Sequence, residues 1–167
     1  KGLIRDFIFV FKKSDRNARL GMKNWKISYD LSFSNKLDGI QPYYPDEQNR
    51  RSEYYWPYEA PETGYQESIN GFASFLVSHF EQSRDEKRNW IFRVRTKAGQ
   101  DGTIISANYG KIRSDFEITL DHKSLGVIQF TYYFNPAGTR NLEYDYNNPL
   151  FRFPRHSKEP GAEVSHP

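Results

Sequence analysis

At 167 residues, the chain is long enough to bury about 70% of its unfolded surface around one core, without a metal or disulfide staple. The absence of cysteine excludes disulfides, thiol chemistry and Cys-based zinc sites, and a formal charge of +3 falls short of what nucleic-acid or membrane attachment demands. Aromatic residues make up 17% of the chain against a total apolar share of 37%, so Phe and Tyr must fill core volume that aliphatics usually fill, a bias that favours strands.

In chain order, Leu3 to Phe11 (LIRDFIFVF) is rich in Ile and Phe and predicts an inner strand covered on both faces. Ser14 to Lys23 gathers Asp15, Asn17 and Gly21 and predicts a turn. Trp25, Ile27, Tyr29, Leu31 and Phe33 then alternate with Lys26, Ser28, Asp30 and Ser32, the period of a strand with one buried and one wet face. From Asn35 to Gln66 the pattern lapses into a loop longer than ordinary connections. Ile69, Phe72, Ala73, Leu76 and Phe80 follow helical spacing and predict an amphipathic helix over 68–84, weakened at Gly71 by about 1 kcal/mol relative to Ala.

The remainder predicts an antiparallel meander. Trp90, Phe92 and Val94 alternate with Ile91, Arg93 and Arg95, GQDG supplies hairpin chemistry, and Thr103 to Tyr109 returns. Phe116, Ile118 and Leu120 form a further half-buried strand, HKSLG turns, Val127 to Phe134 is rich in strand formers, and Leu142, Tyr144 and Tyr146 read as a short closing strand. The segment 151–167 reads as a disordered tail beyond a single β-rich domain over 1–150. The expected fold is mainly β, an antiparallel β-sandwich with one amphipathic helix; an α+β arrangement with the helix on one face of an antiparallel sheet is the alternative.

The candidate functional segment is Pro42 to Tyr65, with six tyrosines, one tryptophan, four prolines and no Leu, Ile, Val or Met. Pyranose rings present a C–H face that stacks on Tyr or Trp while their hydroxyls bond to carboxylates, so Tyr43, Tyr44, Tyr54, Tyr55, Trp56 and Tyr58 are candidate stacking rings. Asp46, Glu53 and Glu59 are candidate acceptors. The competing reading is a lid, in which each ring buries its body against the main core and leaves its hydroxyl wet. It is favoured for most of the rings, with Tyr54, Tyr55 and Trp56 expected to turn outward.

Two further constellations carry chemistry. Glu143 and Asp145 share a strand face and could form a carboxylate pair for glycan cleavage, although neighbours on one face sit near 7 Å apart, side by side rather than across a substrate. Arg93, Arg95 and Lys97 share a face that could track a phosphate backbone, but no RNA-recognition signature accompanies them. His79, His122, His156 and His166 have no ligand spacing, and no P-loop, dinucleotide glycine pattern or G-x-S-x-G elbow occurs, so no metal, cofactor or nucleotide chemistry is expected.

The expected function is a non-catalytic module that binds a polysaccharide or glycan through loop aromatics. A structural or adhesive subunit that packs on another protein chain is the first alternative, and a carboxylate-dependent glycan-active enzyme the second. The polar, Tyr- and Asn-rich composition suggests a bacterial, extracytoplasmic setting, secreted, periplasmic or at the cell surface. With Lys1 at its start and no apolar span, the polypeptide is expected to be a mature or excised fragment.

Overall fold

The computed structural model describes residues 5–16, 24–45, 56–76, 79–120 and 126–143. Eight strands run in chain order: β1 (Ile8–Arg16), β2 (Asn24–Ser32), β3 (Gly39–Tyr43), β4 (Ser68–Leu76), β5 (His79–Gln82), β6 (Asn89–Ala98), β7 (Ile104–Leu120) and β8 (Gly126–Asn135). They form two four-stranded antiparallel sheets packed as a sandwich, with orders β1-β2-β4-β5 (sheet A) and β3-β6-β7-β8 (sheet B). No helix occurs among the described residues, which removes the α+β alternative.

The space between the sheets is filled mostly by rings and branched aliphatics. Ile27, Tyr29 and Leu31 of β2 face Trp90, Phe92 and Val94 of β6 and Ile112, Phe116 and Ile118 of β7, all buried in one cluster. Phe7, Phe9 and Phe130 pack around it, with Phe9 meeting Phe116 edge-on at 5.8 Å and Phe130 meeting Phe116 at 5.2 Å. Edge-to-face contact of this kind lets aromatic quadrupoles attract, so a core poor in Leu and Val still closes.

Four elements depart from the sequence-based expectation. First, β1 is an edge strand of sheet A rather than an inner one, with Phe9 turned into the sandwich and Val10 half exposed on the opposite face. Second, the segment predicted as a helix over 68–84 forms β4 and β5. The residues at Ile69, Gly71, Ala73 and Phe75 are paired with Leu31, Tyr29, Ile27 and Trp25 of β2, so they take the inward face. Phe72 lies on the outer face under Lys26 Nζ, 4.8 Å from its ring centroid. Gly71 makes room for the Tyr29 ring of β2, and this gap in the inward row, together with Phe72 and Leu76 on the other face, gave the segment a helical rather than an alternating appearance.

Third, β7 is one 17-residue strand where two had been expected. A register shift between Arg113 and Glu117, with Ser114 at φ 66°, lets the chain change partners without ending the strand. Below the shift β7 pairs with both β6 and β8; above it β8 alone continues the ladder. Fourth, β3 lies inside the expected aromatic loop 35–66. Its Pro42 is tolerated because Ile40, two residues earlier, directs its N–H away from β6 to Gln66 O; Pro42 therefore lacks a donor only on that outer edge.

The hairpin at GQDG forms as expected, with Gly102 at φ 81° and Thr103 N donating to Asp101 Oδ1 at 3.0 Å. The HKSLG turn lies outside the described residues except for Gly126, where β8 begins, and the tail 151–167 lies wholly outside them.

Three buried polar groups fix the strand ends. Asp115 accepts hydrogen bonds from Trp90 Nε1 (2.7 Å), Asp85 N (2.9 Å), Phe116 N (2.9 Å) and Arg88 Nε (3.0 Å), so it ties the β5–β6 connection to the bulge in β7. Asp38 accepts from the backbone N–H groups of Arg95 (3.0 Å) and Thr96 (2.9 Å), which stabilises Arg95 in its left-handed conformation at φ 58°. Arg93 donates to Leu37 O from both Nε and Nη2, and to Glu62 O, clamping the segments that flank β3. A buried charge is tolerable when its hydrogen-bonding capacity is filled in this way.

Candidate functional site

Sheet B has a second apolar layer on the face away from sheet A. Strand parity puts Ile91 and Arg93 of β6, Ala107, Tyr109 and Lys111 of β7, and Tyr133 of β8 on that face. The segment 56–66 crosses over them, and Trp56, Ala60 and Leu142 complete a buried cluster with Ile91, Ala107 and Tyr109, flanked by Tyr43 and Tyr65. The cover is held by its pairing with the chain after β8: Ala60 N donates to Arg140 O at 2.7 Å and Leu142 N to Tyr58 O at 2.9 Å. Arg140 also bonds the carboxylates of Glu59 (2.6 Å) and Glu62 (2.8 Å). Asn135 closes the turn between, accepting from Ala137 N and donating to Thr139 and Asn141. Asn141 forms an isolated bridge with Glu59; the expected closing strand falls mostly on residues, Tyr144 and Tyr146 among them, that lie outside the described ones.

Within this cover the candidate rings divide. Trp56 is only 7% exposed and stacks on half-buried Tyr43, centroids 5.4 Å apart and planes at 20°, so the expectation that Trp56 turns outward is corrected. The outer face of sheet B supplies the reason: Ile91, Ala107 and Tyr109 leave an apolar surface there, and a tryptophan gains more by covering it than by facing water. Tyr44 and Tyr58, in contrast, are 52% and 51% exposed. Glu59 is exposed and engaged with Arg140. Glu53, Tyr54, Tyr55 and Asp46 lie outside the described residues.

The other constellations fare differently. Glu143 is exposed and its backbone N–H donates to Asn141 Oδ1, while Asp145 lies outside the described residues. Arg93 is buried with its guanidinium 4.5 Å from the Tyr65 ring centroid, and Arg95 is paired with Asp6 through two hydrogen bonds. Arg93 and Arg95 are therefore engaged with internal partners, while Lys97 is exposed.

No family model, curated protein or solved structure matches the chain.

The residue that the sequence did not single out is Lys111. It sits between Ile91 and Tyr133 in one cross-strand row and is only 3% exposed. Its Nζ lies 5.3 Å from the ring centroid of Trp56 and 5.5 Å from that of Tyr133. Among the described residues no hydrogen bond or ion pair reaches this ammonium. Aromatic faces attract a cation but do not fill its three N–H donors. Burial pushes the amine down to about 8, against an opposing pull from the Glu143 carboxylate. The available signal was parity: Ala107, Tyr109 and Lys111 alternate, which places a lysine on an otherwise apolar strand face. Burial pushes the Tyr65 hydroxyl up to about 12, and it donates to Pro61 O at 2.9 Å.

Proposed function

We propose that the chain is a non-catalytic, extracytoplasmic module that binds a polysaccharide or glycan on the outer face of sheet B. The observation that carries this reading is the pair of half-exposed rings, Tyr44 and Tyr58, on the chain segments that hold the packed stack of Trp56 on Tyr43. A tyrosine that is fixed at its backbone by a folded scaffold and free at its ring provides a stacking surface at little entropic cost. Tyr44 directly follows β3, and Tyr58 is anchored through the bond from Leu142 N to its carbonyl. Glu59 and Glu62 lie near Tyr58 as acceptors for sugar hydroxyls, oriented by Arg140.

A second reading, contact with another protein chain, is favoured by Ile105, which is 73% exposed next to Ile104 at the start of β7. The test is retention on insoluble polysaccharides, comparing wild type with the Tyr44→Ala/Tyr58→Ala double variant. Retention lost at an unchanged melting temperature supports glycan binding. Wild type passing through every polysaccharide matrix, or the double variant being retained equally well, overturns it.

A further inference from the structure

We propose that Lys111 Nζ and Tyr133 Oη form a receptor for the carboxylate of an acidic sugar, with Trp56 as its wall. This inference rests on the glycan-binding reading and narrows it to uronic-acid-type ligands. Two independent unmet valences support it. The Lys111 ammonium has aromatic neighbours but no acceptor among the described residues, and the Tyr133 hydroxyl is buried without a hydrogen-bond partner. Buried polar groups in folded proteins almost always have partners, so a group left without one marks a place where a ligand or water completes the bonding. Here a buried, unpartnered hydroxyl and an ammonium that no acceptor among the described residues reaches stand on directly opposed residues of β7 and β8.

Their chemistry selects the ligand. One ammonium and one hydroxyl present a single positive charge and donors on two neighbouring side chains, which suits the two oxygens of one carboxylate. Charge-assisted bonds formed in a site shielded from water are stronger than their solvent-exposed counterparts. Trp56 and Tyr133 line the ammonium with ring faces; Trp56 is stacked on Tyr43, whereas the partly exposed Tyr133 ring is the one that can receive the C–H side of a pyranose. The nearby negative group is Glu143, an exposed carboxylate that already attracts the Lys111 amine and would repel a second carboxylate. Removing that charge should therefore tighten binding.

Titration calorimetry at pH 7 with D-glucuronate, D-glucose and acetate tests the proposal on the full chain. Glucuronate should saturate one site, glucose should give no heat, and acetate should bind at least tenfold more weakly because it lacks the ring. Lys111→Met should abolish glucuronate binding, Tyr133→Phe should weaken it several-fold, and Glu143→Gln should strengthen it. Met keeps the length and apolar body of the lysine, and Tyr133→Phe removes only an oxygen, so at least one variant tests the site in a folded protein. Glucuronate binding that is absent in the wild type, or unchanged in Tyr133→Phe and Lys111→Met, overturns the proposal. Acetate binding as tightly as glucuronate overturns the sugar assignment. If a neutral polysaccharide is retained through Tyr44 and Tyr58 while glucuronate fails to bind, the carboxylate receptor falls and the glycan-binding reading stands.

Discussion

Trp56 lies flat on Tyr43, 5.4 Å between ring centroids, and the pair roofs the outer face of sheet B over Ile91 and Lys111. This stack joins the segment after β3 to the strand itself, so the aromatic cover is part of the folded structure and not an appendage to it. A tryptophan in such a position resists unfolding through the area it removes from water.

Trp56→Ala should therefore destabilise the protein by about 3–5 kcal/mol, the range for losing a large buried ring. Tyr44→Ala and Tyr58→Ala, which remove half-exposed rings, should each stay within about 1 kcal/mol of wild type. Urea unfolding of the three variants checks the contrast. Equal stability of Trp56→Ala and wild type would show that the ring is not packed.

Asp115 provides a sharper case. Its carboxylate is the acceptor for Trp90 Nε1, for two backbone N–H groups and for Arg88, so truncation strands several buried donors at once. Asp115→Ala should cost about 3–5 kcal/mol, the range for breaking one side of a buried pair. Asp115→Asn, which keeps an acceptor oxygen, should cost less. Denaturant midpoints of the two variants, measured side by side, give the order.

Gly71→Ala separates the strand from the helix that the sequence pattern suggested. In a helix the change would stabilise by about 1 kcal/mol. In β4 the added methyl would lie 2.4 Å from Tyr29 Cε1 and 2.7 Å from Ser83 Oγ, and overpacking of this kind costs about 1–3 kcal/mol. A lowered melting temperature is the expected result, and a raised one would contradict the pairing of Gly71 with Tyr29.

Lys111 should leave a signature in the pH dependence of stability. Its amine is near 8 in the folded state and near 10.5 when unfolded, so between these values the unfolded chain binds more protons and stability rises with pH. Below pH 8 both states are protonated and the full penalty, about 3 kcal/mol, is present. Tyr65 works in the opposite direction above pH 10, because its hydroxyl is raised in the folded state and the unfolded chain loses that proton first. Unfolding free energies from pH 7 to 10 should therefore climb in wild type and stay flatter in Lys111→Met, which should also be the more stable protein at pH 7. A parallel rise in both would remove Lys111 as the source.

Much of the framework was legible because strand period is a local property. Trp25 to Leu31 alternates, and every second residue is buried as that pattern requires. The GQDG hairpin was legible in the same way, and Trp90 to Val94 as a strand, although all five of its residues are buried because 56–66 covers the face that alternation left wet. The pattern misled where small residues replaced large ones on a buried face. Gly71 and Ala73 face Tyr29 and Ile27 across the sheet, and no local signal says that a neighbouring strand brings the missing volume. Likewise, β3 was hidden among prolines and tyrosines because its pairing with β6 reaches across about fifty residues.

The sequence by itself determined a cysteine-free, aromatic-filled β framework, its alternating strands and the unusual ring density of Pro42 to Tyr65, since these follow from composition and nearest-neighbour spacing. Only the tertiary structure decided which way those rings face. Alternation assigns a residue to one of two sheet faces, but whether a face is wet depends on what distant segment lies over it. Here the 56–66 cover and the bridge to Asn141 drive Trp56 inward and bury Lys111, and they leave Tyr44 and Tyr58 in water.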